Sequence, residues 1–391
     1  MPSRISFNQI SARILDRLFT NYNKLEGIQQ QLATGKKLEK ASDNPVSAAQ
    51  SMQLRSELDQ YASFQRNMDD GLGYLGTVDS TLSTGNNIYQ SMRERAIQAS
   101  NDSNSAESRF YIGREVRGMF DQMVAMSNTT FKGEYIFSGT NTQVPPYEMR
   151  QGSSTIINGA AASSSSSFAA VGSWITLKDT SVSDSNDTVT NNAYPDLLVP
   201  GTFSISGMKE GTDYEVDYRN GKLKILSASA ATTIVGGGAT ASYDWVRRNE
   251  KNLDGVSNRE IEEGVTARVN TTATDVFGGK TGVNAWEGMI DLMDGTLNNK
   301  PDKVRSSIDK LDAALKRQLT AQSANGSRVL RLESTQSRNT ERQVYTTKLQ
   351  SDIEDVDFAQ AVTDFNLQQT IYDASLKMGA KSLQNSLMDF L

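Results

Sequence analysis

The chain has 391 residues, of which 37% are hydrophobic and 22% charged, with a formal net charge of −6. It contains no Cys and no His, which excludes disulfides, thiolate nucleophiles, Ser-His-Asp triads and the usual Cys/His metal sites. The acidic balance argues against a nucleic-acid binder, and no run approaches the roughly 18 apolar residues of a membrane span, so neither nucleic-acid binding nor membrane insertion is expected.

The first residues, Met1 to Leu18, carry polar side chains every few positions and lack the apolar core of a secretory signal peptide. From Ile5 to Leu32 the pattern is amphipathic. Leu18, Leu25 and Leu32 form a seven-residue series, with Leu15 and Tyr22 beside it, which predicts a helix with an apolar seam. Thr34-Gly35 is a helix stop, because Gly takes the left-handed conformation without a Cβ clash. Asn44-Pro45 opens the next helix, with Asn44 as cap and Pro45 in the first turn. Leu54, Tyr61, Met68, Leu75, Leu82, Tyr89 and Ala96 then recur every seven residues, reinforced by Leu58 and Leu72. Such a run predicts one helix, roughly 80 Å long, packed against other long helices. Asn101 to Ser105 breaks it. Asn104 with Glu107 reads as a capping box for a helix lined by Ile112, Val116, Met119, Met123 and Met126. Gly133 is expected to end that helix, and Tyr135 to Phe137 to form a short strand.

From about Val144 to Gly255 the chain turns rich in Ser, Thr, Gly, Ala and Asn, including the run Ser163 to Ser167. Strands are predicted at Thr202–Ser206 and Tyr214–Leu226, the latter folded at Asn220-Gly221 into a hairpin. The Ser run reads as a flexible loop, with surface O-glycosylation as the alternative. Helical spacing returns after Val283, through Trp286, Ile290, Met293, Val304, Ile308, Leu311 and Leu315, then through Val329, Leu332, Leu349, Ile353 and Val356. The last stretch places Val362, Phe365, Tyr372, Leu376, Leu383, Leu387 and Phe390 at helical steps. Helices at both ends bracketing one β insertion must lie side by side to hide their seams. The fold class is therefore mainly α with an inserted β domain, a long antiparallel helical or coiled-coil bundle built from both chain ends. Three discontinuous domains are expected: 1–44 with 351–391, 45–143 with 256–350, and the insertion 144–255 as an autonomous outer module.

Chemical motifs are sparse. Gly71-Leu72-Gly73-Tyr74-Leu75-Gly76 fits GxGxxG by letter but lies inside the heptad series, where small residues allow close helix approach and no dinucleotide loop forms. Asp352, Glu354, Asp355 and Asp357 form an acidic cluster without the spacing or Gly of a calcium loop, and read as a solvated helix face or boundary. Ser307-Ile308-Asp309-Lys310 fits SxxK without its companion motifs. With no nucleophile, base and orienter brought together, no enzyme, no cofactor and no metal site is expected.

Leu32-Ala33-Thr34-Gly35-Lys36-Lys37-Leu38 followed by Ala41-Ser42-Asp43-Asn44-Pro45 resembles the N-terminal signature of the flagellin superfamily. Ser351-Asp352-Ile353-Glu354-Asp355-Val356-Asp357-Phe358-Ala359 resembles its C-terminal signature. Gly133 to Gly139, Gly-Glu-Tyr-Ile-Phe-Ser-Gly, resembles the junction branch of that superfamily more than filament flagellin, as do Arg268-Val269-Asn270 and Val276-Phe277-Gly278. The resemblance covers both helical ends and leaves the insertion without a pattern.

The resemblance implies a structural subunit of the bacterial flagellum at the hook–filament junction. It implies a ring of copies of the chain, with hook-associated protein 1 on the hook side and flagellin on the filament side. It further implies extracellular delivery by flagellar type III export, with an export chaperone and no cleaved signal peptide. In that setting Leu18, Leu25, Leu32, Leu376, Leu383 and Phe390 are the expected subunit-packing seam, poorly ordered in the lone chain and helical on assembly. Filament flagellin itself is the near alternative, and a secreted coiled-coil adhesin or binding module the remote one.

Overall fold

The computed structural model describes residues 7–38, 40, 42, 44–157, 160–161, 172, 174–177, 197–231, 239–248, 253–279 and 284–388. Its helices are α1 (Phe7–Thr34), α2 (Pro45–Ser100), α3 (Ala106–Ser127), α4 (Ala273–Phe277), α5 (Ala285–Leu297), α6 (Pro301–Glu354) and α7 (Phe358–Met388). The ends of these helices follow local chemistry. α1 stops because Gly35 turns left-handed, with φ of 72°. Asn44 Oδ1 accepts from the Ser47 amide at 3.2 Å and starts α2.

Both ends of α3 differ from expectation, and the strand expected at Tyr135 to Phe137 is instead Glu134–Tyr135, with Ile136 and Phe137 in the turn that follows. The cap of α3 is Ser105, not Asn104: the Ser105 hydroxyl accepts from the Ser108 amide at 3.1 Å. Asn104 instead donates its side-chain amide to the Gln98 carbonyl, near the end of α2, so the Asn is spent on the preceding helix. Gly133 does not end α3, which closes at Ser127. Lys132 and Gly133, with φ of 52° and 83°, form the two-residue turn between strands β1 (Thr130–Phe131) and β2 (Glu134–Tyr135). Two consecutive positive φ angles suit a hairpin turn, and Gly supplies one of them without strain.

The chain divides into two compact units, residues 1–66 with 336–391 and residues 67–335. In the first, α1 and α7 lie antiparallel. Asn21 Nδ2 donates to Ser375 Oγ at 3.0 Å, and the Tyr22 and Tyr372 rings are 6.1 Å apart. The first turns of α2 face the last turns of α6, with Asn339 Nδ2 donating to the Tyr61 carbonyl at 3.0 Å.

In the second unit the heptad series of α2 faces inward: Met68, Leu75, Val78, Leu82, Tyr89, Met92 and Ala96 are buried. Within this unit α2 and α6 are antiparallel, as predicted. Gln318 and Asn325 of α6 donate to the Leu82 and Leu75 carbonyls at 2.6 and 2.9 Å. The insertion supplies β3 (Tyr147–Ile157), β4 (Ala160–Ala161), β5 (Trp174–Thr176), β6 (Leu197–Leu198), β7 (Ser204–Ile205), β8 (Tyr214–Asp217), β9 (Lys222–Ile225) and β10 (Ala239–Arg248). One sheet runs β4-β3-β10-β6 with β7 also on β10, and a second runs β5-β9-β8. β11 (Asn258–Glu262) and β12 (Val265–Arg268) form a separate hairpin. Ala241, Tyr243 and Trp245 alternate into the core along β10, and Tyr214 and Val216 do so along β8.

The predicted hairpin between β8 and β9 is present, but its loop has four residues. Gly221 is left-handed with φ of 57°, and Asp217 Oδ1 accepts from the Arg219 amide at 3.2 Å. Among the described residues, the buried side chains of the insertion join those of the helices. Tyr147, Leu198, Tyr243 and Trp245 belong to the same buried cluster as Phe120 of α3 and Trp286 of α5. Trp286 is the hub, with Tyr147 at 4.8 Å, Phe277 at 5.4 Å and Phe120 at 5.6 Å between ring centroids. A stretch of Ser- and Gly-rich sequence hides this, because the few large residues that join it to the helices are scattered. The Ser163–Ser167 run lies outside the described residues.

Candidate functional site

The N-terminal and C-terminal signatures meet in the first unit. Where α1 ends, Gly35 to Lys37 pairs with Glu354 to Val356 at the end of α6. The Lys37 amide donates to the Glu354 carbonyl at 2.6 Å, and the Val356 amide to the Gly35 carbonyl at 3.0 Å. A left-handed Gly is needed here so that the chain can leave α1 and run alongside the second segment. The Glu354 side chain turns inward, 5% exposed. It accepts from Arg55 Nε and Gln350 Nε2 at 2.9 Å, from Lys36 Nζ at 3.1 Å, and from Ser51 Oγ. Donation by Arg55 is the largest cause holding the Glu354 carboxyl far below the usual range, with Ser51, Gln350 and Lys36 adding to it against the cost of burial. Glu354 is therefore a structural pin at the boundary where α6 ends; of the two expectations, a solvated helix face or a boundary, the solvated face does not hold for it. Asp357, three residues on, accepts from the Ala359 and Gln360 amides at 2.9 and 3.2 Å and starts α7. The rest of the cluster is exposed, and no group of carboxylates suited to a metal ion occurs among the described residues.

The other two motifs meet in the second unit. Ile136 and Phe137 of the Gly133–Gly139 segment are fully buried. The Phe137 carbonyl accepts from the Ala273 amide at 3.0 Å, and its ring stands edge-on to Phe277 at 5.7 Å. Asn270 is buried and ties three segments together. Its side chain accepts from the Ser257 amide at 3.0 Å and donates to the Gly255 carbonyl at 2.8 Å, and its carbonyl takes Arg328 Nη1 at 3.0 Å. Thr272 and Asp275 form a full capping box on α4, and Arg268 pairs with Asp275. Both motif pairs are thus joints between distant parts of the chain.

The expected seam is distributed as follows. Leu18, Leu25 and Leu32 are half-buried. Leu18 lies on the α7 side, since a Cβ at Gly379 would stand 3.8 Å from Leu18 Cδ1. Leu376 is 43% exposed; the α7 residues toward α1 are Gln368, Tyr372, Ser375 and Gly379. The Leu383 side chain and Phe390 lie outside the described residues. Two faces that the seam did not include are apolar and uncovered. On α1, Leu15 and Phe19 stand at i and i+4, 54% and 66% exposed. On α7, Leu367, Ile371 and Met378 form one stripe, with Met378 75% exposed, and Phe358 and Val362 lie on another side. A helix that is apolar on several sides belongs in a core with several neighbours.

The remaining motifs have structural uses. Gly71 is buried, where a Cβ would lie 3.2 Å from Leu332 and Val269, and one at Gly73 would lie 3.2 Å from Phe131. These are close approaches inside α2, as expected. Ser307 donates to the Val304 carbonyl at 2.7 Å, and Lys310 pairs with buried Asp291. Sequence reading missed the roles of Ser51 and Arg55 in the Glu354 pin, and of the polar residues inside α6. Asn and Gln at heptad positions 318, 325 and 339 were the available signal.

Residues 5–142 match the family described as the bacterial flagellin N-terminal helical region, and residues 308–391 its C-terminal helical region. Together they cover more than half of the chain. A flagellin of Clostridium tyrobutyricum is 23% identical over 98% of this chain and 99% of its own length. Flagellar hook-associated protein 3 of Escherichia coli K12 is 28% identical over 32% of this chain, which spans 39% of that relative. Among solved structures, that of a flagellar hook-associated protein from Vibrio parahaemolyticus aligns with a TM-score of 0.51 at 16% identity, over 80% of this chain and all of the other, and so shares its fold. With its two terminal signatures folded against each other and both terminal regions matched, the chain belongs to the bacterial flagellin superfamily and is a structural component of the flagellum.

Proposed function

We propose that the chain is the subunit that joins the hook side of the flagellum to its filament, and that it catalyses no reaction. The observation that carries this reading is the set of uncovered apolar faces on α1 and α7. One antiparallel pair of helices leaves Leu15, Phe19, Leu367, Ile371 and Met378 in water, and burying such side chains stabilises by about 1.5–3 kcal/mol each. Copies of the chain in a ring are the natural cover, and Leu18, Leu25, Leu32, Leu376, Leu383 and Phe390 then form the seam among them. Hook-associated protein 1 lies on the hook side and flagellin on the filament side. Delivery is by flagellar export with a dedicated chaperone, to the outside of the cell. Residues 144–255 face outward from the ring.

The joint made by Gly133–Gly139 with Arg268–Gly278 favours a junction subunit, because these segments resemble that branch. Filament flagellin is the second reading, and the near full-length match to a flagellin favours it. Immunogold labelling of intact flagella distinguishes them. A single labelled band where hook meets filament is expected, and label along the whole filament would overturn the junction assignment.

A further inference from the structure

In the second unit the facing surfaces of α2 and α6 are mostly apolar and repetitive. Leu75, Val78 and Leu82 of α2 and Leu311, Ala314 and Ala321 of α6 are all buried. Two heptad patterns of this kind pair almost as well after a slip of seven residues, so apolar packing alone sets the register weakly.

Two fully buried amides interrupt the pattern, Gln318 and Asn325, both 0% exposed. Each donates to a carbonyl of α2, that of Leu82 at 2.6 Å and of Leu75 at 2.9 Å. Their oxygens, Gln318 Oε1 and Asn325 Oδ1, are buried without a hydrogen-bond partner. A half-satisfied buried amide costs stability, and such groups are best known for fixing helix register.

The two amides are not equivalent. Gln318 reaches the Leu82 carbonyl only because residue 85 is Gly: a Cβ there would stand 2.2 Å from Gln318 Nε2 and 2.7 Å from Met126 Sδ. One heptad away in either direction, the residue three beyond the carbonyl is Val78 or Met92, and neither leaves that notch. Asn325 is shorter and passes Val78 to reach Leu75. Carbonyls recur at every turn of α2, so Asn325 can find an acceptor in any register.

We infer that Gln318 in the Gly85 notch is a register lock, which holds α6 at one position along α2 at the expense of stability.

The test uses the full chain, whose lack of Cys allows clean spin-labelling. Gln90→Cys and Ser327→Cys place labels on exposed positions of α2 and α6. Counting from the Leu82–Gln318 pairing, they are offset by about 25 Å along the axis, and a seven-residue slip changes this by about 10 Å. In the otherwise unaltered chain one narrow distance distribution is expected by electron–electron double resonance. Gln318→Met, which keeps the length and removes the unpaired oxygen, should add a second population about 10 Å away, with helical circular dichroism retained and a thermal midpoint no lower. Asn325→Leu should keep the single distance. An unchanged single distance in Gln318→Met would overturn the lock. A lower midpoint or lost helicity would do so too, since the amide would then stabilise rather than specify. A second population in Asn325→Leu would move the function away from the Gly85 notch and equally overturn it.

Discussion

Replacing Glu354 by Ala removes the acceptor at which Ser51, Arg55, Lys36 and Gln350 converge. A hydrogen bond to a charged group contributes about 1.5–3 kcal/mol, but the Arg55 and Lys36 side chains are 55% and 46% exposed and can turn to water. Ser51, buried beside the carboxylate, cannot turn so easily. The net loss is therefore placed at about 2 kcal/mol. It falls on the link between Gly35–Lys37 and Glu354–Val356, so the direct readout is hydrogen exchange at the Lys37 and Val356 amides. About 2 kcal/mol corresponds to roughly thirtyfold faster exchange at those two amides if they open locally. Glu354→Gln, which keeps acceptors without the charge, should fall between. The pH dependence has a fixed sign. The folded carboxyl sits far below its ordinary value of 4.5 because the charged form accepts these donors. Its contribution is complete above that value and declines as pH falls below it toward the folded value. Exchange rates in Glu354→Ala within twofold of the unaltered chain, or a protection that does not decline below pH 4.5, would refute the pin.

Trp286→Ala empties the hub shared by Phe120, Tyr147 and Phe277, and should cost about 3–5 kcal/mol in urea unfolding of the second unit. A clean deletion of 144–255 removes Tyr147, Tyr243 and Trp245 from that same core, so it should lower the thermal midpoint even where assembly persists. Gly113→Ala places a Cβ 2.8 Å from Thr296 Oγ1 and Leu297 Cδ2, and should destabilise by about 1–3 kcal/mol, read as a lower urea midpoint. Glu210 has its carboxyl pushed up chiefly by burial, against donation from Tyr218. A raised carboxyl loses stability as pH climbs through its folded value, so Glu210→Gln should match or exceed the parent midpoint at pH 7 and lose that advantage at pH 4. Phe19→Asp or Leu25→Asp should block incorporation into flagella, measured by co-sedimentation, while the second unit stays folded, because each puts an unpaired carboxylate into an apolar seam.

The long helices were legible because their signals are repetitive. Seven spaced residues from Leu54 to Ala96 fixed α2, and Gly35 and Asn44-Pro45 marked its surroundings by backbone preference alone. Contacts between distant segments were not legible. Glu354 looked like one acid among four, since nothing local shows that Ser51 and Arg55 come round to meet it. The insertion looked autonomous because composition changes at Val144, whereas its attachment rests on a few aromatics such as Tyr147 and Trp245. The Asn104 cap failed on competition: the side chain had two orphan ends within reach and served α2. For α7, the heptad at Leu376 gave one seam, but the helix is apolar on further sides, and which side meets α1 depends on small residues, Ser375 and Gly379, that carry little hydrophobic signal.

On the proposed reading, the terminal helices stay incompletely buried until copies of the chain cover them. Hydrogen exchange on residues 12–34 and 358–381, compared between dilute chain and the assembled flagellar structure, tests this directly. Ordering each residue costs about 1–2 kcal/mol of backbone entropy, more than one helix pair with a single shared seam offsets over its whole length. Fast exchange at both ends of the dilute chain, with strong protection after assembly, is the predicted result. Strong protection of both ends in the dilute chain, unchanged on assembly, would contradict it.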